Sequence, residues 1–216
     1  MRPAAVLVDV YETALTCDFD EHRRLLPARA GVDEVEWDVA FQALGDLVTD
    51  GRLTMFDAYA EIVARCGRTP DAGLIGDLVA LDRALLRKGV HVFNDTVPAL
   101  RALRADGLRT AFLSNCAENT RPLLEELQLL ELVDHVVLSN EIGAAKPDRR
   151  IYQHALDLLD LAPERVVLID DQVGFCRGAE EVGISALQIA RFAAQPTHGN
   201  AVTSLSDAHE RIAAMG

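Results

Sequence analysis

No apolar run in this chain approaches the roughly 20 residues that a membrane-spanning helix needs, so a bilayer is not its expected partner. Basic residues are scarce as well: 21 Lys and Arg stand against 34 Asp and Glu, leaving a formal charge of -13. Such a surface repels a phosphate backbone or an anionic lipid face, which argues against nucleic acid. The four cysteines, Cys17, Cys66, Cys116 and Cys176, include no Cys-x-x-Cys pair and no histidine at zinc spacing. Reduced thiols in a cytoplasmic protein are therefore expected. Proline and glycine are too sparse to mark a long linker, and neither a repeat nor a low-complexity tract is present. A secretory leader is not expected: Arg2 precedes an apolar run, but the run is short and Asp9 ends it.

What is present is a chain of 216 residues, half of them apolar, enough for one sizeable core with a small insertion. Short continuous apolar runs at 4–8, 110–113, 135–138, 165–169 and 186–189 have the length and composition of strands buried on both faces. Helical patterns at 96–105, 120–130, 149–160 and 175–182 fall between the later ones, and Gly107 and Gly183 stand where two of these helices should stop. Asn94 or Asp95 is placed to cap the first. The fold class read from this rhythm is α/β, a doubly wound parallel sheet.

Between 17 and 89 the rhythm breaks, with apolar residues three and four apart and no convincing strand. Helices are expected at 22–30, 35–48, 56–66 and 74–88, with Thr54 and Asp57 spaced like a capping box. The expected division is an α/β core of 1–16 and 90–216 and a helical insertion of 17–89 after the first strand. A last amphipathic helix at 205–215 follows a polar loop containing Pro196 and Gly199.

Open parallel sheets place their reactive crevice beyond the carboxyl ends of the strands. Asp9 ends the first strand, Ser114-Asn115 the second, Lys146 follows the third after a loop, and Asp170-Asp171 ends the fourth. Taken singly each has a bland explanation, since Ser and Asn form turns, acids cap helices and Lys146 before Pro147 suits a solvated loop. Their joint order, a nucleophilic carboxylate, a hydroxyl, a cation and an acid pair at one edge, is less easily produced by turns alone. Three carboxylates crowded together repel one another and any phosphate, so they ask for a divalent cation, and oxygen-only ligands suit magnesium.

These stretches, VLVDVYETAL, AFLSN, SNEIGAAKPDRRIYQHAL and VVLIDDQVGFCRGAEEVGI, resemble the four motifs of the haloacid dehalogenase superfamily of hydrolases, in the branch with a helical cap after the first strand. The resemblance covers nearly the whole chain. It implies a Rossmann-like core, an attack by Asp9 on phosphorus to form an aspartyl-phosphate, and phosphoryl oxygens held by Ser114 and Lys146. It also implies a magnesium ion held by Asp9, the backbone carbonyl of Tyr11, and Asp170 or Asp171, more readily Asp171. Thr13 and Asn115 would bond around the nucleophile and the second motif.

The chain departs from that pattern at two places. Where the usual first motif is Asp-x-Asp-Gly-Thr, Tyr11 replaces the second aspartate and Glu12 the glycine. A positioned acid-base contributes about 10²–10⁴ in rate, so its loss bears directly on a phosphatase reading. Tyrosine there resembles the L-2-haloacid dehalogenases, in which no proton need reach the leaving halide. Against that alternative, Glu36-Trp37-Asp38 stands where a substrate-clamping arginine would fall, and Asp170-Asp171 would repel a carboxylate substrate. The expected function is a magnesium-dependent hydrolase of small phosphate monoesters, with a dehalogenase as first alternative and an inactive binding or regulatory module as second. The sequence is compatible with a homodimer and specifies none.

Smaller signals have bland readings. His22, Arg23 and Arg24 could greet an anionic substrate but fit a solvated helix face. Trp37 and Tyr59 fit packing within the insertion. Cys116, at a helix start, is a candidate for a lowered thiol pKa, against the reading of a small buried residue.

Overall fold

Ala5–Val8 carries only apolar side chains, all fully buried, and forms β1 at the middle of the molecule. The computed structural model describes residues 2–192 and 199–215. After β1 come β2 (Leu15–Cys17), α1 (Asp20–Ala30), α2 (Glu34–Gln42), α3 (Gly45–Thr49), α4 (Met55–Arg65), α5 (Ala72–Gly89) and β3 (Val90–Val92). The chain continues through α6 (Thr96–Ala105), β4 (Arg109–Ser114), α7 (Thr120–Glu126), β5 (His135–Leu138), α8 (Ser139–Ile142) and α9 (Arg149–Leu159). It ends with β6 (Val166–Asp170), α10 (Val173–Glu181), β7 (Ser185–Ile189), β8 (Ala201–Val202) and α11 (Leu205–Ala213).

Six strands form one parallel sheet in the order β5-β4-β1-β6-β7-β8. The fold is therefore α/β, doubly wound and Rossmann-like. Strand order reverses at β1, where β4 pairs on one side and β6 on the other, so the ends of these three strands share one crevice. Helices cover both faces because both are apolar: one layer gathers Val6, Val8, Leu100 and Leu205, the other Leu7, Leu168, Ile151 and Tyr152. Among the described residues no helix is long and apolar enough to cross a membrane.

Helices α1 to α5 occupy the interval between β2 and β3 and bury a cluster of their own around Leu26, Trp37, Tyr59, Ile62 and Leu78. Thr54 caps α4 as its spacing predicts, accepting from the Asp57 amide at 3.1 Å.

Several local expectations need correction. The helix expected at 35–48 is two, α2 and α3, interrupted at Ala43-Leu44. The stretch without a convincing strand has edges that pair: Leu15–Cys17 and Val90–Val92 form an antiparallel ribbon at the root of the insertion. β8 lies in what reads as a polar loop; Pro196 of that loop lies outside the described residues. Asp95 stands at the start of α6 but makes no side-chain cap, because its carboxylate accepts from Arg191 and from the Leu205 amide.

Candidate active site at the carboxyl edge of the sheet

The end of β1 delivers Asp9 into the crevice, and its amide still donates to Ile169 O at 2.9 Å, extending the ladder to β6. Asp170 is the last residue of β6 and Asp171 the next. Carboxylate oxygens of Asp9, Asp170 and Asp171 all lie within 4.8 Å of one another. Lys146, between α8 and α9, reaches this cluster with a wholly buried side chain. Its ammonium donates to Asp9 Oδ1 at 2.7 Å, to Asp170 Oδ2, and to Leu113 O at 2.9 Å. An ammonium has three N–H donors, and here each has an acceptor. The Phe175 ring lies 5.1 Å from Nζ and closes that side.

Burial and mutual repulsion set the protonation of the cluster. Burial pushes Asp9 up to about 7; Lys146 opposes the rise and Asp170 adds to it. Asp171 is likewise pushed up to about 7, by burial and then by Asp170. Burial alone would lower Lys146, but Asp170 and Asp9 outweigh it and hold the ammonium above its ordinary range. One lysine does not neutralise three carboxylates. The donor set fits a divalent cation, with Asp9, Asp170 and Asp171 as candidate oxygen ligands.

Two hydroxyls complete the crevice. Ser114, the last residue of β4, and Thr13 are fully buried, and neither Oγ has a hydrogen-bond partner among the described residues. Buried polar groups rarely stay unpaired, so both suit an oxygen-bearing ligand. Asn115 is engaged with the lysine loop: its amide donates to Lys146 O at 2.8 Å and accepts from Lys146 N at 2.7 Å. It positions the lysine loop.

Tyr11 packs half-buried over the edge, with its hydroxyl 3.0 Å from Thr120 Oγ1. Burial holds the phenol above its ordinary range, so it stays protonated and is no base at neutral pH. Glu12 adopts φ 57°, the left-handed region that suits the family's glycine. Its carboxylate accepts from Thr16 Oγ1 at 2.9 Å.

Sequence reasoning missed the groups that hold this turn in place. Arg191 donates to Thr13 O at 2.9 Å and 2.6 Å, pairs with Asp95 at 3.0 Å and stacks on Phe93. Gln188 donates to Asp171 O at 2.9 Å. A carbonyl 178 residues away leaves no mark in a local pattern. Cys116 is the small buried residue of the bland reading: burial pushes its thiol up to about 12, not down.

A cleft of about 370 Å³ opens above this edge, lined by Tyr11, Glu12, Asn115 and Thr120 and roofed by Phe41, Val48 and Met55 of the insertion.

A profile of the haloacid dehalogenase-like hydrolases matches residues 3–183. Phosphatase MT3486 of Mycobacterium tuberculosis is 35% identical over 152 residues, 68% of this chain and 69% of its own length. (S)-2-haloacid dehalogenase 1 of a Pseudomonas species is 37% identical over 103 residues, 47% of this chain and 45% of its own, so that match spans less than half of the relative. A solved phosphatase from Thermococcus onnurineus superposes with a TM-score of 0.71 at 21% identity, covering 98% of each chain. With an aspartate at the end of β1 and a buried lysine between two acids, this chain belongs to the haloacid dehalogenase-like hydrolases.

Proposed function

We propose that the chain is a magnesium-dependent hydrolase of small phosphate monoesters acting through an aspartyl-phosphate on Asp9, with residues 17–89 as its cap. The observation that carries this reading is the acid pair: Asp170 and Asp171 crowd Asp9 closely enough to suit a divalent cation. A cation bound there would offset the charge of the carboxylates and of the phosphoryl oxygens. Asp9 forms an O–P bond as the bond to the leaving oxygen breaks, and that oxygen takes a proton from water or a neighbouring donor. The Ser114 hydroxyl donates to a phosphoryl oxygen and Lys146, its N–H groups bonded to Asp9, Asp170 and Leu113 O, contributes its positive charge beside the nucleophile; water then cleaves the acyl phosphate, returning Asp9 and releasing inorganic phosphate. With Tyr11 protonated and bonded to Thr120, this mechanism favours esters whose leaving group is already a good one.

Tyr11 also keeps a second reading alive, displacement of halide from a 2-haloacid by Asp9. The charge of Asp170 and Asp171 beside the nucleophile disfavours a carboxylate-bearing substrate. The two are separated by assaying inorganic phosphate from an aryl phosphate with magnesium, and chloride from L-2-chloropropionate. Phosphate release alone is expected; chloride release alone would replace this proposal with the dehalogenase reading, and neither would favour a binding module.

A further inference from the structure

A second cavity of about 380 Å³ lies inside the helical insertion, lined by Phe19, Leu26, Trp37, Phe41, Tyr59 and Asp82 among others. It shares Phe19, Phe41 and Asp82 with the cleft above the sheet edge, so the two volumes adjoin. Its size falls in the range of small-molecule sites, which take mostly apolar walls and a few fixed polar groups. The polar groups here are unusual. His22 is buried and, among the described residues, neither ring nitrogen has a hydrogen-bond partner; the buried Tyr59 hydroxyl lies beside the Asp82 carboxylate without a close hydrogen bond. His22 Nε2 lies 3.6 Å from Asp82 Oδ1, beyond hydrogen-bond reach, while Asn119 donates to Asp82 Oδ2 at 2.8 Å. Buried polar atoms around one cavity without a close partner point to something that enters and bonds them.

We infer that this cavity receives the non-transferred part of the substrate, an uncharged ring-sized organic group carrying a hydroxyl or amide-type N–H. The inference deepens the phosphate-ester reading and rests on it for its second test only. The walls set the body: Phe19 and Phe41, 39% and 41% exposed, flank the junction of the two volumes, and Trp37 stacks on Tyr59 at 5.7 Å behind them. The buried end sets the polarity. Asp82 asks for a donor, and the Tyr59 hydroxyl can donate to the same oxygen of the ligand. An anionic end would meet Asp82 and Asp38, and Arg23 at the rim is already held by Asp20 at 2.9 Å.

Trp37 is the only tryptophan of the chain, so its fluorescence reports on this cavity without any turnover. Titration with benzyl alcohol should give a saturable change, and benzoate, the same ring with a carboxylate, should bind about tenfold more weakly or worse. Phe41→Ala, at an exposed position, should weaken benzyl alcohol, and Asp82→Asn should narrow its advantage over benzoate. In the second test, kcat/KM for 4-(hydroxymethyl)phenyl phosphate should exceed that for 4-carboxyphenyl phosphate by about tenfold, and Asp82→Asn should shrink the ratio. No saturable change with benzyl alcohol, or equal binding of benzoate, overturns the inference and leaves the cavity to water. Failure to hydrolyse any phosphate ester overturns the proposed function instead, and the fluorescence then decides the cavity alone.

Discussion

The sheet edge and the helical insertion each hold a buried polar cluster, and the two are built on opposite terms. At the edge Lys146 donates three hydrogen bonds, two of them to Asp9 and Asp170, and the charge left over suits a cation. Inside the insertion neither ring nitrogen of the buried His22 has a hydrogen-bond partner among the described residues. The edge hangs on the ends of three adjacent strands, whose register fixes it. The inner cavity is walled by four helices joined through side chains, by apolar packing and by the Arg29–Asp77 ion pair. A reaction that must always be performed on the same phosphoryl group suits the first construction; a body that differs from substrate to substrate suits the second.

The comparison can be broken first at the nucleophile. Asp9→Asn should lower phosphate release by at least about 10³-fold with the circular dichroism spectrum unchanged, because the neutral amide oxygen is a far weaker nucleophile toward phosphorus than a carboxylate. Substantial residual turnover in the folded variant would move the chemistry away from the edge.

Next in size is Lys146→Met, expected to lower unfolding stability by about 3–5 kcal/mol in denaturant titrations without metal, since buried Asp9 and Asp170 lose their counter-charge. Magnesium should recover part of that loss in the variant. A variant as stable as the parent would show that the edge does not depend on its ion pairs.

Ser114→Ala sharpens the contrast within the edge itself. The hydroxyl has no partner among the described residues, so stability should change by no more than about 0.5 kcal/mol, while kcat/KM falls by about 10²-fold. A large loss of stability would mean that Ser114 supports the fold and not the substrate.

The smallest expected effect concerns the thiols. Cys17, Cys116 and Cys176 are buried and pushed up to about 11, about 12 and about 12, in each case chiefly by burial, whereas Cys66 at the end of α4 is partly exposed. Ellman's reagent near neutral pH should modify one cysteine quickly and the other three only after unfolding. Mass mapping of the fast label to Cys116 would contradict the packing described for the second motif.

Much of the edge is legible in the sequence because its determinants are local. Each of Asp9, Ser114 and Asp170 follows or ends an apolar run long enough for a buried strand, and the carboxyl-end rule gathers such residues wherever the sheet is parallel. The inner cavity is not legible, since His22, Tyr59 and Asp82 sit on three helices with no shared spacing and read singly as packing or solvated positions. Short strands escape for another reason. Val90–Val92 alternates only over three residues, and Ala201–Val202 spans two, too few for periodicity to register. The break between α2 and α3 is hidden because Gly45 permits either a helix or its interruption.

The ribbon of β2 and β3 bears on how such a protein changes over time. Both passages of the chain between sheet and insertion run through this one pair, Leu15 opposite Val92 and Cys17 opposite Val90. An exchange of the segment between these two strands leaves the pairing of β1 with β4 and β6 untouched. Recombination or gene synthesis can therefore trade one set of helices for another as a cassette, altering what is chosen without rebuilding what is done to it.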